Sequence, residues 1–329
     1  MTPQAERSTH PHGEALWDLR HERLGALGIP ATRHELLAPF TTYRVGGPAA
    51  LFVDAESETV ILDVLSECRA HPELWECEKL VLGRGSNLLV ADRGVEAFVI
   101  RIGEHCATIE RTNAGLRVGG AALLPVVARR SVAMGLTGFE WAVGVPGSIG
   151  GAVRMNAGGH GSEMSNSLRT VRVVDFSTGQ DVEMDAEDLN LAYRRSGLPE
   201  GAVVVWADLE LADADSPVGQ TLINEIVTWR RENQPGGSNA GSVFANPAGA
   251  SAGQLIERVG LKGSRQGGAS ISTKHANFIQ AEVGTEARSI LELMARARNL
   301  VAEETGVLLS LENRLWGFTS AERASVGLV

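Results

Sequence analysis

The sequence has little cysteine and no concentrated positive charge, and both shortages exclude classes of protein. Its three cysteines, Cys68, Cys77 and Cys106, contain no C-x-x-C pair, so neither a disulfide framework nor a zinc ribbon is expected. Acidic residues outnumber basic residues by 40 to 30, and no run of lysine or arginine occurs. Because such a chain repels a nucleic-acid backbone, nucleic acid is not an expected partner.

Long apolar runs and aromatic residues are also scarce. No stretch approaches the ~18 consecutive apolar residues that a membrane span requires, and residues 1–14 lack the apolar core of an export signal. Together with the few cysteines, this predicts a cytoplasmic protein without a membrane partner. A hydrophobic content of 43% over 329 residues is typical of a folded protein, and a length prior of ~150 residues per domain gives about two domains.

The hydrophobic pattern predicts an α/β segment followed by a sheet-rich middle. An apolar run at 49–53, a helix capped by Ser57 and a second apolar run at 80–82 are typical of a βαβ unit. Further strands are expected over three ranges, 95–102, 171–176 and 202–211. We predict a loose tail over 1–14 and a frayed end over 318–329, because neither has periodic hydrophobicity.

Helices dominate the prediction beyond residue 214, where we place a domain junction. Ser216 before Pro217 predicts a helix start, and the expected apolar face is Val218, Leu222, Ile223, Ile226 and Val227. Ser251 and Gln254 have the spacing of a capping box for a short helix. A longer helix from Thr285 is expected to end at Gly306, before a strand over 307–312; its predicted inner face is Ile290, Leu291, Met294, Ala297 and Val301.

Glycine is abundant, with 38 residues, and two loops concentrate it. The first, Gly83-Arg-Gly-Ser-Asn87, follows an apolar strand but has Leu88 where a dinucleotide fingerprint needs its third glycine. The second, Gly144-Val-Pro-Gly-Ser-Ile-Gly-Gly151, is followed by Asn156-Ala-Gly-Gly159 and Gly161. Two such loops indicate a diphosphate clamp, in which backbone approaches a ligand closely, although tight turns and bulges would use glycine in the same way.

Three polar residues are candidates for catalysis, each with a simpler alternative. Arg194 could hold a carboxylate or lie in solvent. Ser242 could donate a proton or stabilise a turn, and no G-x-S-x-G elbow surrounds it. Glu312 could act as an acid or pair with Arg314. The eight histidines have no metal-ligand spacing, so no metal is expected.

The order of these motifs resembles one family. Seven segments carry the resemblance: Thr42–Pro48, Gly83–Asn87, Gly144–Gly151, Asn156–Gly158, Tyr193-Arg194, Gly241-Ser242 and Leu311-Glu312. Over residues 36–317 the chain resembles the UDP-N-acetylenolpyruvoylglucosamine reductases, the MurB family of peptidoglycan synthesis. The joint order of seven motifs is more specific than any one of them.

The resemblance implies an α+β protein with the FAD-binding PCMH-type fold, which is also seen in vanillyl-alcohol-oxidase-like enzymes. An N-terminal extension over 1–35 would precede an FAD-binding region over 36–213, made of a small lobe (36–90) and a main lobe (91–213). A C-terminal α+β substrate domain would follow over 214–317, with a tail over 318–329.

The implied function is an oxidoreductase reaction of cell-wall precursor synthesis. NADPH would reduce non-covalently bound FAD, leave, and be replaced by UDP-GlcNAc-enolpyruvate, which becomes UDP-N-acetylmuramate. The family match assigns charge stabilisation to Arg194 and Glu312, and proton donation to Ser242. The implied FAD contacts are Gly83, Arg84, Gly85, Ser86, Asn87, Gly144, Val145, Pro146, Gly147, Ser148, Gly150, Gly151, Asn156, Ala157, Gly158 and Gly161.

Substrate contacts are expected from a second set of polar residues. They are Tyr193, Arg230, Asn246, Lys262, Lys274 and His275. One family subgroup closes over substrate with a tyrosine on an inserted loop, and the two tyrosines here indicate the shorter subgroup without that loop. Ala245 stands where the family often has lysine, so one phosphate contact is missing.

Two other functions remain open from the sequence. An oxidase of the same fold, acting on an alcohol or sugar, could attach its flavin covalently at His160. A flavin-free binding protein could have kept the fold. The expected partner in the main interpretation is a small-molecule substrate, with no obligate protein partner.

Overall fold

The N-terminal part, residues 11 to 102, is built around a four-stranded sheet. In this computed structural model, which describes residues 11 to 328, its elements are α1 (Pro11–Ala26), β1 (Ala31–Leu36), β2 (Pro48–Ala55), α2 (Glu58–Ala70), α3 (Pro72–Trp75), β3 (Lys79–Leu82), β4 (Leu88–Val90) and β5 (Val95–Ile102). The sheet has the order β1-β2-β5-β3, with β1 antiparallel and the other three parallel.

The predicted βαβ unit is confirmed within this sheet. The Ser57 side chain accepts a hydrogen bond from the backbone N–H of Val60, which caps α2. One face of α2 is buried through Ile61, Val64, Leu65 and Cys68. Strand β5 lies between β2 and β3 in this sheet. The boundary predicted near residue 90, between the small lobe and the main lobe, therefore separates strands of a single sheet.

The middle part, residues 103 to 213, contains an antiparallel sheet with helices against it. Its elements are β6 (Ile109–Thr112), β7 (Gly115–Gly119), α4 (Leu124–Ala133), β8 (Leu136–Thr137), α5 (Ile149–Met155), β9 (Gly158–Gly159), β10 (Ser162–Glu163), β11 (Leu168–Asp175), β12 (Gln180–Asp185), β13 (Ala202–Glu210) and β14 (Ala212–Asp213). Five strands pair in the order β12-β11-β13-β7-β6. The three strands predicted from apolar runs are confirmed as β5, β11 and β13.

The rest of the chain contains four helices and four short strands among the described residues. They are α6 (Ser216–Asn233), α7 (Ala252–Arg258), β15 (Arg265–Gln266), β16 (Ala269–Ile271), β17 (Ile279–Ala281), α8 (Ala287–Thr305), β18 (Arg314–Trp316) and α9 (Ser320–Ser325). Strand β18 pairs in parallel with β4, so the chain returns to the N-terminal part near its end.

Helix α6 packs on the middle part although it follows the junction predicted at residue 214. It contacts α4 and the short 3-10 helix at 140–144, and Ile223 is buried in the core of the middle part. The expected apolar face is therefore only partly buried. Val218, Leu222 and Val227 remain exposed, because the middle part covers one narrow side of the helix.

Two predicted helix starts use different caps from those expected. Ser216 lies inside α6, where its hydroxyl donates to the backbone oxygen of Val132 at 2.9 Å. Ser251 precedes α7 without a side-chain cap bond. Instead, Asn246 Oδ1 accepts a hydrogen bond from the Ala252 N–H at 3.0 Å. The capping-box prediction at Ser251 is therefore wrong, because the side chain of Asn246 accepts the hydrogen bond at the start of α7.

The ends of the chain are more regular than predicted. Residues 11–14 belong to α1, whereas residues 1–10 of the predicted tail lie outside the described structure. The predicted frayed end contains α9, which begins with a capping box between Thr319 and Glu322. Helix α8 has the predicted buried face and ends at Gly306, whose φ is 73°. The predicted strand over 307–312 is wrong, because that segment makes only the Phe244–Leu311 bridge in the described chain.

Removing the carboxylate of Asp92 should loosen the start of α8. Asp92 Oδ1 and Oδ2 accept the backbone N–H groups of Ala287 and Arg288 at 2.7 and 3.1 Å. Because a lost N-cap costs roughly 1 kcal/mol, Asp92→Ala should accelerate hydrogen exchange in the first turn of α8. Asp63→Ala, at an exposed position of α2, serves as the control. Unchanged exchange in α8 would show that this cap does not stabilise the helix.

Candidate functional site

A cavity of about 550 Å³ lies where the three parts of the chain meet. Its walls come from both glycine loops, from the segment 239–242 and from the end of α6. A larger groove of about 1440 Å³ lies beside it. The glycine loops and Ser242 line only the smaller cavity, which is therefore the candidate site.

The two glycine loops lie directly against each other. Ser86 Oγ donates to the backbone oxygen of Pro146 at 3.2 Å. A Cβ on Gly147 would lie 3.0 Å from Ser86 Oγ, and one on Gly83 would lie 3.0 Å from Ser148 Oγ. A Cβ on Gly85, whose φ is +58°, would lie 2.4 Å from the Phe40 backbone oxygen. Close approach to backbone and a positive φ require glycine at Gly85, and the φ of +131° favours glycine at Gly147.

These loops present unpaired backbone donors to the cavity. None of residues 83–87, nor Gly147 or Ser148, donates its backbone N–H to another group in the described part of the chain. Nearly all buried backbone N–H groups in proteins are paired. Successive free N–H groups in a loop form a concave site for an anion. The observed loops thus fit the diphosphate of FAD.

Arg194 is held in place from two directions. It lies in the tight turn between Ala192 and Arg195, with a φ of 56°. Its Nε donates to Glu312 Oε1 at 2.7 Å, and its Nη2 donates to the backbone oxygen of Gly158 at 3.0 Å. The positive φ marks an uncommon turn for a non-glycine residue, and the two hydrogen bonds hold the guanidinium in position.

Glu312 and Ser242 are brought together by antiparallel backbone contacts. The Glu312 N–H donates to the backbone oxygen of Val243 at 2.8 Å, next to Ser242 in the chain. The Glu312 side chain is only 12% exposed, and it pairs with Arg194. Arg314 pairs with Glu200 instead. The alternative that Glu312 pairs with Arg314 is therefore wrong, and all three catalytic candidates line one cavity.

The end of α6 adds a positively charged wall. Arg230 lines the cavity, and burial lowers the pKa of its guanidinium. The ring of His160 meets the ring of Trp229 edge to face at 5.2 Å between centroids. Burial, followed by the charge of Arg230, lowers the pKa of His160. Arg230 is the charged side chain that α6 places in the cavity lining.

Three of the expected FAD contacts lie outside the cavity lining and stabilise or turn the neighbouring backbone. Gly150 donates its N–H to the Gly120 oxygen. Asn156 is fully buried, and its side chain bonds Glu163, Ala192 and Ser165. Gly161 turns the adjacent hairpin with a φ of 85°. None of the three lines the cavity.

Most of the expected substrate contacts lie outside the cavity. Tyr193 is 59% exposed, and its ring lies 5.2 Å from the guanidinium carbon of Arg194. Asn246 caps α7, and Lys262 pairs with Glu257 at 2.7 Å. Lys274 donates to the Arg231 backbone oxygen, and His275 packs against Phe278. Of the six residues predicted, only Arg230 lines the cavity.

Several cavity residues were not identified as contacts from the sequence. They include Arg154, Glu200, Trp229, Gln234, Asn239, Phe278 and Trp316. Arg154 lies within the second glycine-rich segment, and it donates to the backbone oxygens of Pro199 and Ala202 at 2.5 and 2.9 Å. Trp229 directly precedes Arg230, a predicted substrate contact, and this position in the sequence could have identified it as a cavity residue.

Across residues 11 to 328, no helix is long and apolar enough to cross a membrane.

Two known families match separate stretches of this chain. A family described as FAD binding domain matches residues 49–185. A second family, UDP-N-acetylenolpyruvoylglucosamine reductase, C-terminal domain, matches residues 233–316. The second match begins at the end of α6, in agreement with the packing of that helix on the middle part.

Relatives that match most of this chain are named UDP-N-acetylenolpyruvoylglucosamine reductase. UDP-N-acetylenolpyruvoylglucosamine reductase of Heliobacterium modesticaldum is 40% identical over 88% of this chain and 89% of the relative. The Bacillus subtilis protein of that name is 36% identical over 86% of this chain and 93% of the relative. The crystal structure of MurB from Thermus caldophilus superposes with a TM-score of 0.75 at 36% identity, covering 88% of this chain and 98% of that chain.

These matches confirm the predicted fold class, an FAD-binding α+β region followed by a C-terminal substrate domain. They give no support to the alternative of an alcohol or sugar oxidase. The chain is an oxidoreductase and belongs to the UDP-N-acetylenolpyruvoylglucosamine reductase (MurB) family.

Proposed function

We propose that this protein uses bound FAD and NADPH to reduce UDP-GlcNAc-enolpyruvate to UDP-N-acetylmuramate in the cytoplasm. One observation carries the proposal: Arg194, Glu312 and Ser242 line the same cavity as the free backbone donors of the glycine loops. Family membership and the FAD binding domain match support it.

The region over 36–213 is proposed to hold the cofactor. The backbone N–H groups of 83–87 and 147–148 would bind the diphosphate, since none has another partner in the described chain. When bound, FAD supplies the hydride chemistry, with NADPH as the donor. The hydrogen bond from Ser86 Oγ to the Pro146 backbone oxygen joins the two loops.

Arg194 is proposed to be the cation, and Glu312 the acid, that stabilise the charge that develops on the substrate. Hydride addition to the terminal alkene carbon leaves negative charge on the neighbouring carbon, delocalised into the carboxylate. A preorganised cation stabilises such charge more strongly in a partly desolvated site than in water. The contacts of Arg194 with Glu312 and Gly158 hold the guanidinium in position before reaction.

Ser242 is proposed to complete the reduction by protonation. Its Oγ would donate a proton to the carbon beside the carboxylate, which is basic enough to accept it once hydride has been added. Ser242 is half-buried and lines the cavity with Glu312.

The second half of the chain is proposed to bind the nucleotide end of the substrate. Arg230 can bind a diphosphate through charge-assisted hydrogen bonds from inside the cavity. The other expected contacts, Asn246, Lys262, Lys274 and His275, have partners within the protein. None of these four residues lines the cavity.

An anaerobic two-step experiment tests the proposed function. NADPH should bleach the flavin absorbance of the purified protein. After removal of excess NADPH, UDP-GlcNAc-enolpyruvate should restore the oxidised spectrum and form UDP-N-acetylmuramate. A protein that binds no FAD, or whose flavin stays bleached, would refute the proposal.

Replacing Ser242 should separate the two halves of the reaction. In Ser242→Ala, NADPH should still bleach the flavin, whereas reoxidation by the enolpyruvyl substrate should slow by roughly 10²–10⁴-fold, the usual contribution of a general acid. Stopped-flow absorbance measures both steps. Ser251→Ala, whose hydroxyl makes no cap bond to α7, should react like the unaltered protein. Normal reoxidation of Ser242→Ala would rule out the assigned role.

Removing the Arg230 side chain should weaken substrate binding more than chemistry. Loss of a charged hydrogen bond costs about 1.5–3 kcal/mol, so Arg230→Ala should raise the KM for the enolpyruvyl substrate roughly 10–100-fold with a smaller change in kcat. Arg296→Ala, at an exposed position of α8, is the matched control in steady-state assays. An unchanged KM would exclude Arg230 from the substrate site.

A further inference from the structure

A buried asparagine joins the first glycine loop to the catalytic segments. Asn313 follows Glu312 in the chain and is only 2% exposed. Its Nδ2 donates to Asn87 Oδ1 at 2.8 Å and to the Ala240 backbone oxygen at 3.1 Å. These two bonds reach two segments that are far apart in sequence, one in the cofactor loop and one just before Ser242.

Asn87 in turn binds the segment that contains Asn313. Its Nδ2 donates to the Glu312 backbone oxygen at 3.0 Å, and its own backbone oxygen accepts the Arg314 N–H at 2.8 Å. The residues on both sides of Asn313 are therefore fixed to Asn87. We name the two side chains, Asn87 and Asn313, the amide pair.

The amide pair constrains the positions of two proposed catalytic groups. Glu312 is itself one of the two residues, with Arg314, through which its segment is bound to Asn87. Ser242 lies two residues after Ala240, which Asn313 binds directly. With both anchors in place, the backbones that carry Ser242 and Glu312 have little freedom to shift relative to the cofactor loop.

The position of Asn313 carries a cost in stability. Its Oδ1 is buried and has no hydrogen-bond partner among the described residues. A buried unsatisfied acceptor is destabilising, and an apolar side chain of similar volume would avoid it. Local violations of this kind are expected where a site needs a particular geometry.

We infer that Asn313 is a positioning residue for the second half of the reaction. Through Asn87 and Ala240, it holds the backbones of Ser242 and Glu312 in position relative to each other and to the first glycine loop. The inference rests on the proposed function. It adds that the geometry between the N-terminal part and the part after residue 213, and not only the identity of the catalytic groups, determines the rate of substrate reduction.

Asn313→Val tests this inference by removing both donor bonds while keeping a compact buried side chain. Misplacement by about 1 Å can cost ~10²-fold in rate, so reoxidation by the enolpyruvyl substrate should slow roughly 10–100-fold. Bleaching by NADPH needs neither Ser242 nor Glu312 and should change less than about threefold. The KM for the enolpyruvyl substrate should change less than kcat.

Two further variants distinguish positioning from general stability. Asn313→Asp keeps the shape but loses the donors when ionised, and it should show the same split between the two half-reactions. Ser131→Ala removes a buried hydroxyl of α4 whose one hydrogen bond among residues 11 to 328 goes to the Ala128 backbone oxygen. It should leave both half-reactions unchanged even where it lowers the melting temperature.

The inference is overturned if Asn313→Val reoxidises at the normal rate, or if both half-reactions slow equally. If Asn313→Val fails to retain FAD, Asn313→Asp decides, and loss of FAD in both variants would assign Asn313 a structural role only. Failure of the unaltered protein to react with the enolpyruvyl substrate would instead refute the proposed function.

Discussion

The ion pair between Arg194 and Glu312 is the interaction on which the site depends. It joins a turn of the middle part to the segment just before β18, 118 residues further along the chain. The distance from Arg194 Nε to Glu312 Oε1 is 2.7 Å. Both groups are partly desolvated, so their attraction is stronger than that of a surface pair, and loss of one partner would leave a charge without compensation. The pair therefore holds the two groups in position where negative charge develops on the substrate.

The fold brings these groups together through two features of its topology. Parallel pairing of β18 with β4 returns the C-terminal segment to the first glycine loop. The isolated bridge between Phe244 and Leu311 then brings the segment of Ser242 alongside that of Glu312. Because each part of the chain contributes one wall, the site exists only when all three parts are packed together.

The sequence predicts those features that depend on local chemistry. Glycine clusters mark the loops, and the order of motifs identifies Arg194, Ser242 and Glu312, which line one cavity. Features set by tertiary packing were not predictable. The apolar stripe of α6 does not show which part will cover it, and Asn246 caps a helix that begins six residues later. Lys262 and Lys274 have suitable charge for a phosphate, but only the folded chain shows that they point to other partners.

A double-mutant cycle on Arg194 and Glu312 tests the central claim most directly. The quantity to measure is the anaerobic rate of flavin reoxidation by UDP-GlcNAc-enolpyruvate in Arg194→Met, in Glu312→Gln and in the double variant. If the two residues act as one unit, the double variant will be about as slow as the slower single variant, with a coupling energy of roughly 1–3 kcal/mol. If the two losses simply multiply, the residues act independently, and the dependence of the site on their ion pair is contradicted.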